Sequence, residues 1–357
     1  MKIGEIDPNL ELDACTGEKD TVFLDVCSQP FLVTGVLAPT PQEPFFRRMP
    51  QALARSVSPG VEQLNRHTAG GQVRFRTDSP YVSLHAVQSA VCLMSHMTVC
   101  GIGGFDLYAR EDGGEDRYAG TFRPPFALEN GFDAIVRLPG RRMRTFTLNM
   151  PLYGGVNSLY LGLDREATLE PAPTPCRAPL AFYGSSITQG GCASRPGNSY
   201  PAMLSRALGC AQINLGFSGN GKGEPEMARY IASLRMSAFV MDYDNNSPTP
   251  QTLRATHEPF FRIIRQAQPR LPVIFVSRPP MLGSDETPER ADIIRQTYQN
   301  ALDAGDRHVF FVNGSTFFSA FEGDSATVDG CHPNDYGFAL MAQRLLPVLE
   351  RALNEPA

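Results

Sequence analysis

The chain has 357 residues, 42% hydrophobic and 19% charged, which is the balance of a folded globular protein. Its length exceeds what one hydrophobic core usually fills, so two domains are expected. A formal net charge of -5 without a basic stripe leaves nothing to drive counterion release, so no nucleic-acid partner is expected.

In chain order, the opening stretch "MKIGEIDPNLELDA" carries acidic residues where an export signal would need an apolar core. No apolar run approaches the roughly 20 residues that span a bilayer. The expected location is cytoplasmic, with no membrane partner. Further on, "QVRFRTDSPYVSLHAVQ" alternates apolar and polar residues with the period of a half-buried antiparallel strand. "FDLYARED", "FDAIVRLPG", "MRTFTLNMP" and "VNSLYLGLD" repeat that pattern between Gly, Pro and Asp turn signals. Short strands without helices between them predict an antiparallel β-sandwich over residues 1–165. The Pro-rich "LEPAPTPCRAPL" predicts a stiff linker, set at residues 166–178.

From residue 179 to the end the period changes. Apolar runs "LAFYG", "AQINLGF", "AFVMDYD", "PVIFVSR" and "HVFFVNG" alternate with helical patterns, from "SYPAMLSRALG" to "NDYGFALMAQRLLPVLERAL". Such alternation predicts βαβ units and a parallel sheet of about five strands covered on both faces. Ligands of these sheets sit beyond the carboxyl ends of the strands, so the residues that follow each strand matter most. Ser185 and Ser186 follow the first strand, "NLGFSG" the second, "DYDNNS" the third, and "VDGCHPND" a loop after the fifth.

A serine becomes a nucleophile when a base takes its proton and a third group orients that base. His332 is the only one of six histidines on a strand-end loop of this half that runs at once into a helix. Asp329, three residues earlier, is placed to bond the second ring nitrogen. Attack on an ester puts negative charge on the carbonyl oxygen, for which the backbone N–H groups of Ser186 and Gly219 and the side chain of Asn246 are candidate donors. Each residue has a plainer reading as well: Ser186 as a helix cap, Gly219 as a turn glycine, Asn246 as a turn residue, His332 as a helix-start histidine. Four such groups at one sheet edge favour catalysis.

These blocks resemble the SGNH (GDSL-type) hydrolases. "YGSSIT" is similar to the first family block, "NLGFSG" to the second, "DYDNNS" to the third and "DGCHPN" to the last, over roughly residues 178–355. The resemblance implies a three-layer, flavodoxin-like α/β domain and a serine esterase with the triad Ser186, His332 and Asp329. It implies an oxyanion hole from Ser186, Gly219 and Asn246, with no cofactor and no metal. Two departures stand out. Ser185 replaces the usual Asp of the first block, and Asp244 and Asn245 stand where glycines usually precede the asparagine, so Asn245 is the alternative to Asn246 and a candidate substrate contact. "GGFDLYARE" is similar to the GxDLY signature of the sandwich domain, jelly-roll-like in form, that precedes SGNH domains in one subgroup.

The eight cysteines, Cys15 and Cys176 among them, show no CxxC pair, and the other histidines have no metal-ligand spacing. They are expected to be reduced and structural, with Cys331 open because it precedes His332. Arg195, in "ASRPGNSY", is read either as a substrate contact at the pocket edge or as a solvated loop arginine. "GFSGNGKGE" lacks the spacing of a phosphate-binding loop. GxSxG is missing, which disfavours an α/β-hydrolase. The substrate class expected is a small acyl ester, a short acyl group (acetyl first) on a sugar or similar alcohol, because the strand-end loops carry few large apolar side chains. Met281 and Leu282 are expected to line a small acyl pocket. Acyl transfer to another acceptor and a non-enzymatic carbohydrate-binding module are the alternatives. An oligomer has no support in the sequence.

Overall fold

In the computed structural model, residue 18, residues 20–175 and residues 177–354 are described. The opening stretch, Cys15 and Cys176 lie outside them. Along the N-terminal part run β1 (Thr21–Asp25), β2 (Leu32–Thr34), α1 (Gln51–Val57), α2 (Pro59–Leu64), β3 (Gln72–Thr77), β4 (Tyr81–Ser89) and α3 (Val99–Gly103). Then come β5 (Phe105–Arg110), β6 (Arg117–Phe122), β7 (Gly131–Arg137), β8 (Arg144–Asn149), β9 (Gly155–Asp164) and β10 (Leu169–Glu170).

The chain forms two compact units. The first takes the described residues up to Arg48, then Arg66–Thr174 and Arg195–Gly197. Its strands pair antiparallel in a four-stranded sheet, β1-β9-β4-β7, and a six-stranded one, β10-β3-β8-β5-β6 with β2 on β3. Alternating apolar residues of both sheets, among them Leu24, Val73, Phe75, Leu84, Leu107, Phe146 and Leu161, close into one core. Phe75 stacks on Phe146 with centroids 5.3 Å apart. The sandwich and its antiparallel pairing are as expected. In contrast, "QVRFRTDSPYVSLHAVQ" is two strands, because β3 and β4 join different sheets. Leu169–Glu170, expected in the linker, pairs with β3.

The second unit takes Met49–Asn65, Pro175–Ser194 and Asn198 onward. It carries β11 (Leu180–Gly184), α4 (Ser186–Gln189), α5 (Tyr200–Ala207), β12 (Gln212–Gly216), α6 (Pro225–Ser233) and β13 (Ala238–Asp242). It continues with α7 (Pro250–Ala267), β14 (Val273–Val276), α8 (Thr287–Asp303), β15 (Val309–Val312), α9 (Ala320–Ala326) and α10 (Asp335–Asn354). The sheet is parallel, in the order β12-β11-β13-β14-β15. Successive residues of β11 point to opposite faces. Tyr183 stacks on Phe260 of α7 at 4.9 Å, while Phe182 meets Tyr200 of α5 edge-on at 5.8 Å. Helices therefore cover both faces and make three layers.

Residues 49–65, expected in the sandwich, belong here instead. Met49, Ala54 and Val61 are fully buried in the same core as Met227 and Ile231 of α6. Among the described residues no helix is long and apolar enough to cross a membrane, and the cysteines are free thiols.

Candidate active site

The order of the second sheet reverses at β11, whose neighbours are β12 on one side and β13 on the other. A crevice opens at the carboxyl end of such a strand. β11 ends at Gly184, where a Cβ would lie 2.0 Å from Thr188 Oγ1 and 2.4 Å from the Asp242 carbonyl. Only glycine lets the chain turn so tightly. Ser185 then caps α4, its Oγ accepting from the Ile187 N–H at 3.1 Å. The helix stops at Gly190 (φ 106°), and Cys192 follows in the left-handed region (φ 72°). Ser186 thus stands on a short turn of helix fixed at both ends.

Ser186 Oγ is 2.9 Å from His332 Nε2, and His332 Nδ1 is 2.8 Å from Asp329 Oδ2. Asp329 Oδ1 also accepts from the backbone N–H groups of His332 at 2.8 Å and Cys331 at 3.0 Å. Burial pushes the Asp329 carboxyl up, but these hydrogen bonds and the nearby ring outweigh it and hold it down at about 2. A carboxylate can only accept, so the hydrogen of the neutral ring sits on Nδ1. Nε2 is left with a lone pair facing the Ser186 hydroxyl.

Two short bridges shape the loop that carries this pair. The Val328 N–H donates to His332 O at 2.9 Å, and Thr327 bridges to Pro333. Outside the loop, the Leu282 N–H donates to Gly330 O at 3.0 Å. Met281 and Leu282 line a cavity of about 620 Å³ with Phe318, Val328, Asp329 and Gly330. Neither Ser186 nor His332 lines it, so the cavity lies on the aspartate side of the pair, and Leu282 is 87% exposed.

Past β12, Gly219 adopts φ 67°, with open space where a Cβ would go. Its N–H donates to Asn246 Oδ1 at 3.1 Å, and Asn246 Nδ2 donates to Phe217 O at 2.8 Å. Gly219 and Asn246 therefore converge, but on each other. Asn246 keeps a second N–H on Nδ2. Asn245 does not reach Gly219; its Oδ1 is buried without a partner.

Arg195, expected at the pocket edge or in solvent, is held by side-chain hydrogen bonds. It is part of the first unit, where Nη1 donates to Asp106 Oδ2 at 2.6 Å and to Tyr108 Oη at 2.7 Å. Its guanidinium lies 4.2 Å from the centre of the Tyr118 ring. Asp106 also accepts from the Gly197 N–H at 2.8 Å and from Asn149 Nδ2 at 2.8 Å. The Asp and Tyr of the GxDLY signature are thus partners of this arginine.

Other polar groups escaped the sequence reading. Asp242, at the end of β13, is buried; its Oδ2 accepts from Tyr200 Oη at 2.8 Å and Thr188 Oγ1 at 3.1 Å. Burial raises its carboxyl to about 8. Asp242 therefore brings a carboxyl group to α4 from the neighbouring strand, where Ser185 has none. Asp244, held at about 6 by burial against the Arg278 N–H and the charges of Arg278 and Arg290, fixes the turn that carries Asn246. "DYDNNS" held both acids, but only its asparagines had an expected role.

Residues 177–350 match the model of the GDSL-like lipase/acylhydrolase family, and residues 21–169 match the GxDLY domain, the N-terminus of SGNH-hydrolase-type esterases. A crystal structure from Bacteroides ovatus assigned as a GDSL-like lipase superposes with a TM-score of 0.83 at 28% identity, covering 93% of this chain and 98% of that one. The salicylyl-acyltransferase SsfX3 of a tetracycline biosynthetic pathway gives 0.77 at 19% identity, covering 95% and 99%. A family two carbohydrate esterase from Cellvibrio japonicus gives 0.61 at 14% identity, covering 94% and 98%. A search of curated proteins returned no match.

Proposed function

The chain belongs to the SGNH (GDSL-type) hydrolases through residues 177–350, and from that membership we propose a serine esterase that cleaves short acyl esters, acetyl first, from a carbohydrate or similar polar alcohol. One observation carries the reading: the hydroxyl of Ser186, the ring of His332 and the carboxylate of Asp329 form a single hydrogen-bonded line at the switch point of a parallel sheet.

In this reading His332 Nε2 takes the Ser186 proton as Oγ bonds to the ester carbon, and the carbonyl π-electrons move to its oxygen. Asp329 steadies the imidazolium that forms. The oxyanion receives the Ser186 N–H, the second N–H of Asn246 and the Gly219 N–H, which leaves Asn246 Oδ1 for the stronger, charged acceptor. Collapse breaks the bond to the alcohol, which departs with the proton from His332. A water molecule then repeats the sequence on the acyl-enzyme, releasing the acid and restoring Ser186.

The substrate class is supported by the walls. "TQGGCAS", "SGNGKGE" and "DNNSPTP" of the second unit offer few large apolar side chains, and a hydroxyl-rich ligand needs polar partners once buried. Several of the proteins sharing this fold are described as carbohydrate esterases. An acyltransferase among them favours a second reading, in which another alcohol takes the place of water. The test is a panel of p-nitrophenyl esters from acetate to octanoate and of acetylated sugars, with and without added alcohol acceptors. Rates should fall beyond a few carbons, and acetylated sugars should be turned over. Ser186→Ala and His332→Ala should each lose on the order of 10³-fold in kcat or more, with the double variant little worse. An active Ser186→Ala protein would remove the nucleophile assignment. A preference for octanoate with inert acetylated sugars would remove the substrate class.

A further inference from the structure

The nucleophile and the base come from loops far apart in sequence, and their separation sets the reaction. Ser186 lies on α4, from which Gly190, Gly191 and Cys192 lead through tight turns to Ser194. The Gly191 N–H donates to Ser186 O at 2.8 Å and the Ala193 N–H to Gly190 O at 3.1 Å. Ser194 is thereby rigidly tied to Ser186. On the other side, His332 is three residues from Asp335, the first residue of α10. Asn334 pins the start of that helix, Oδ1 accepting from the Gly337 N–H at 3.1 Å and Nδ2 donating to Ser325 O at 2.6 Å.

Asp335 joins the two. Oδ1 accepts from the Ser194 N–H at 2.8 Å, and Oδ2 accepts from the Ser194 hydroxyl and from Asn198 Nδ2, the latter at 2.7 Å. The carboxylate at the first turn of α10 is also favoured by the helix dipole. Beside the Ser186–His332 hydrogen bond itself, this links the nucleophile's loop directly to the base's loop. The Leu282–Gly330 bond, by contrast, ties the base loop only to the segment after β14.

We propose that Asp335 is a positioning residue for the ester chemistry: its three hydrogen bonds to Ser194 and Asn198 hold Ser186 and His332 in reacting register. The proposal rests on the esterase reading above. The side-chain hydrogen bonds of Asp335 run to Ser194 and Asn198, so its effect passes through geometry. A misplacement of about 1 Å can cost about 10²-fold in rate.

The experiment compares Asp335→Ala, Asp335→Asn, Ser194→Ala, Ser194→Thr and Asn198→Ala with wild type and Ser186→Ala. It measures kcat, KM, Tm and the fraction of serine titrated by a phosphonate ester. Asp335→Ala should lose about 10- to 100-fold in kcat per titrated site, with KM within about threefold of wild type. Asp335→Asn should fall nearly as far, because its amide sets donors against donors. Ser194→Ala and Asn198→Ala, each losing one bond, should show smaller losses, and Ser194→Thr should restore turnover. If Asp335→Ala does not fold, the Ser194 and Asn198 variants decide alone. Unchanged kcat per titrated site, with or without a lower Tm, overturns the positioning role, as does a loss confined to KM. Wild-type turnover by Ser186→Ala overturns the esterase reading instead, whatever Asp335 does.

Discussion

A carboxyl held at about 2 stays charged through every pH at which an imidazole changes its protonation, so Asp329 fixes the ring tautomer throughout. Asp329 should therefore add no acidic limb of its own to the pH profile of turnover until the pH falls to about 2. Asp329→Asn should cost on the order of 10³- to 10⁴-fold in kcat, since an amide oriented to donate would favour the wrong tautomer. Wild-type turnover in that variant would mean that another group orients the ring. Asp329 and His332 were legible in the sequence because three residues separate them and one turn suffices to bring them together. Ser186 was legible because it follows a strand. Asp335 and Asp242 were not: their partners lie 141 and 42 residues away, and only the folded chain brings them close. The partners of Arg195 were hidden for the same reason, since Asp106 is 89 residues earlier.

At the level of elements, the period of apolar residues found the parallel strands and the long helices, whose buried faces repeat over several turns. It missed α1 and α2, too short to display a helical period. It also merged β3 with β4, because alternation continues across a change of sheet. β13 illustrates what a strand end can hold. Its last residue, Asp242, has a carboxyl raised to about 8 by burial, so the folded state binds a proton that the unfolded chain releases at about 3.9. Its contribution to stability is full below that lower value and is lost as pH rises through about 8. Asp242→Asn, which is always neutral, should match wild type near pH 4 and exceed its Tm by at least about 3 °C in alkaline solution. Parallel Tm profiles of the two proteins would show that Asp242 is buried as its anion.

For the whole molecule, the change of period located the two architectures but not the path between them. A cut at the Pro-rich stretch would look safe from the sequence, yet it would strip Met49, Ala54 and Val61 from the core beside α6. The fragment 179–357 should accordingly bind more ANS and melt at a lower temperature than the full chain, and adding residues 49–65 as a peptide should reverse part of the change. A fragment as stable as the whole would show that α1 and α2 contribute little. The same path has a consequence in time. The first unit takes in Arg195–Gly197, so it is completed only after β11 and α4 have been made. The second unit needs helices whose last residue, Leu64, precedes Pro225, where α6 begins, by 161 residues. At about 5–20 residues per second, α1 and α2 wait on the order of 10–30 s with their apolar faces exposed. A nascent chain arrested in that interval offers a chaperone a binding site that the finished protein has buried.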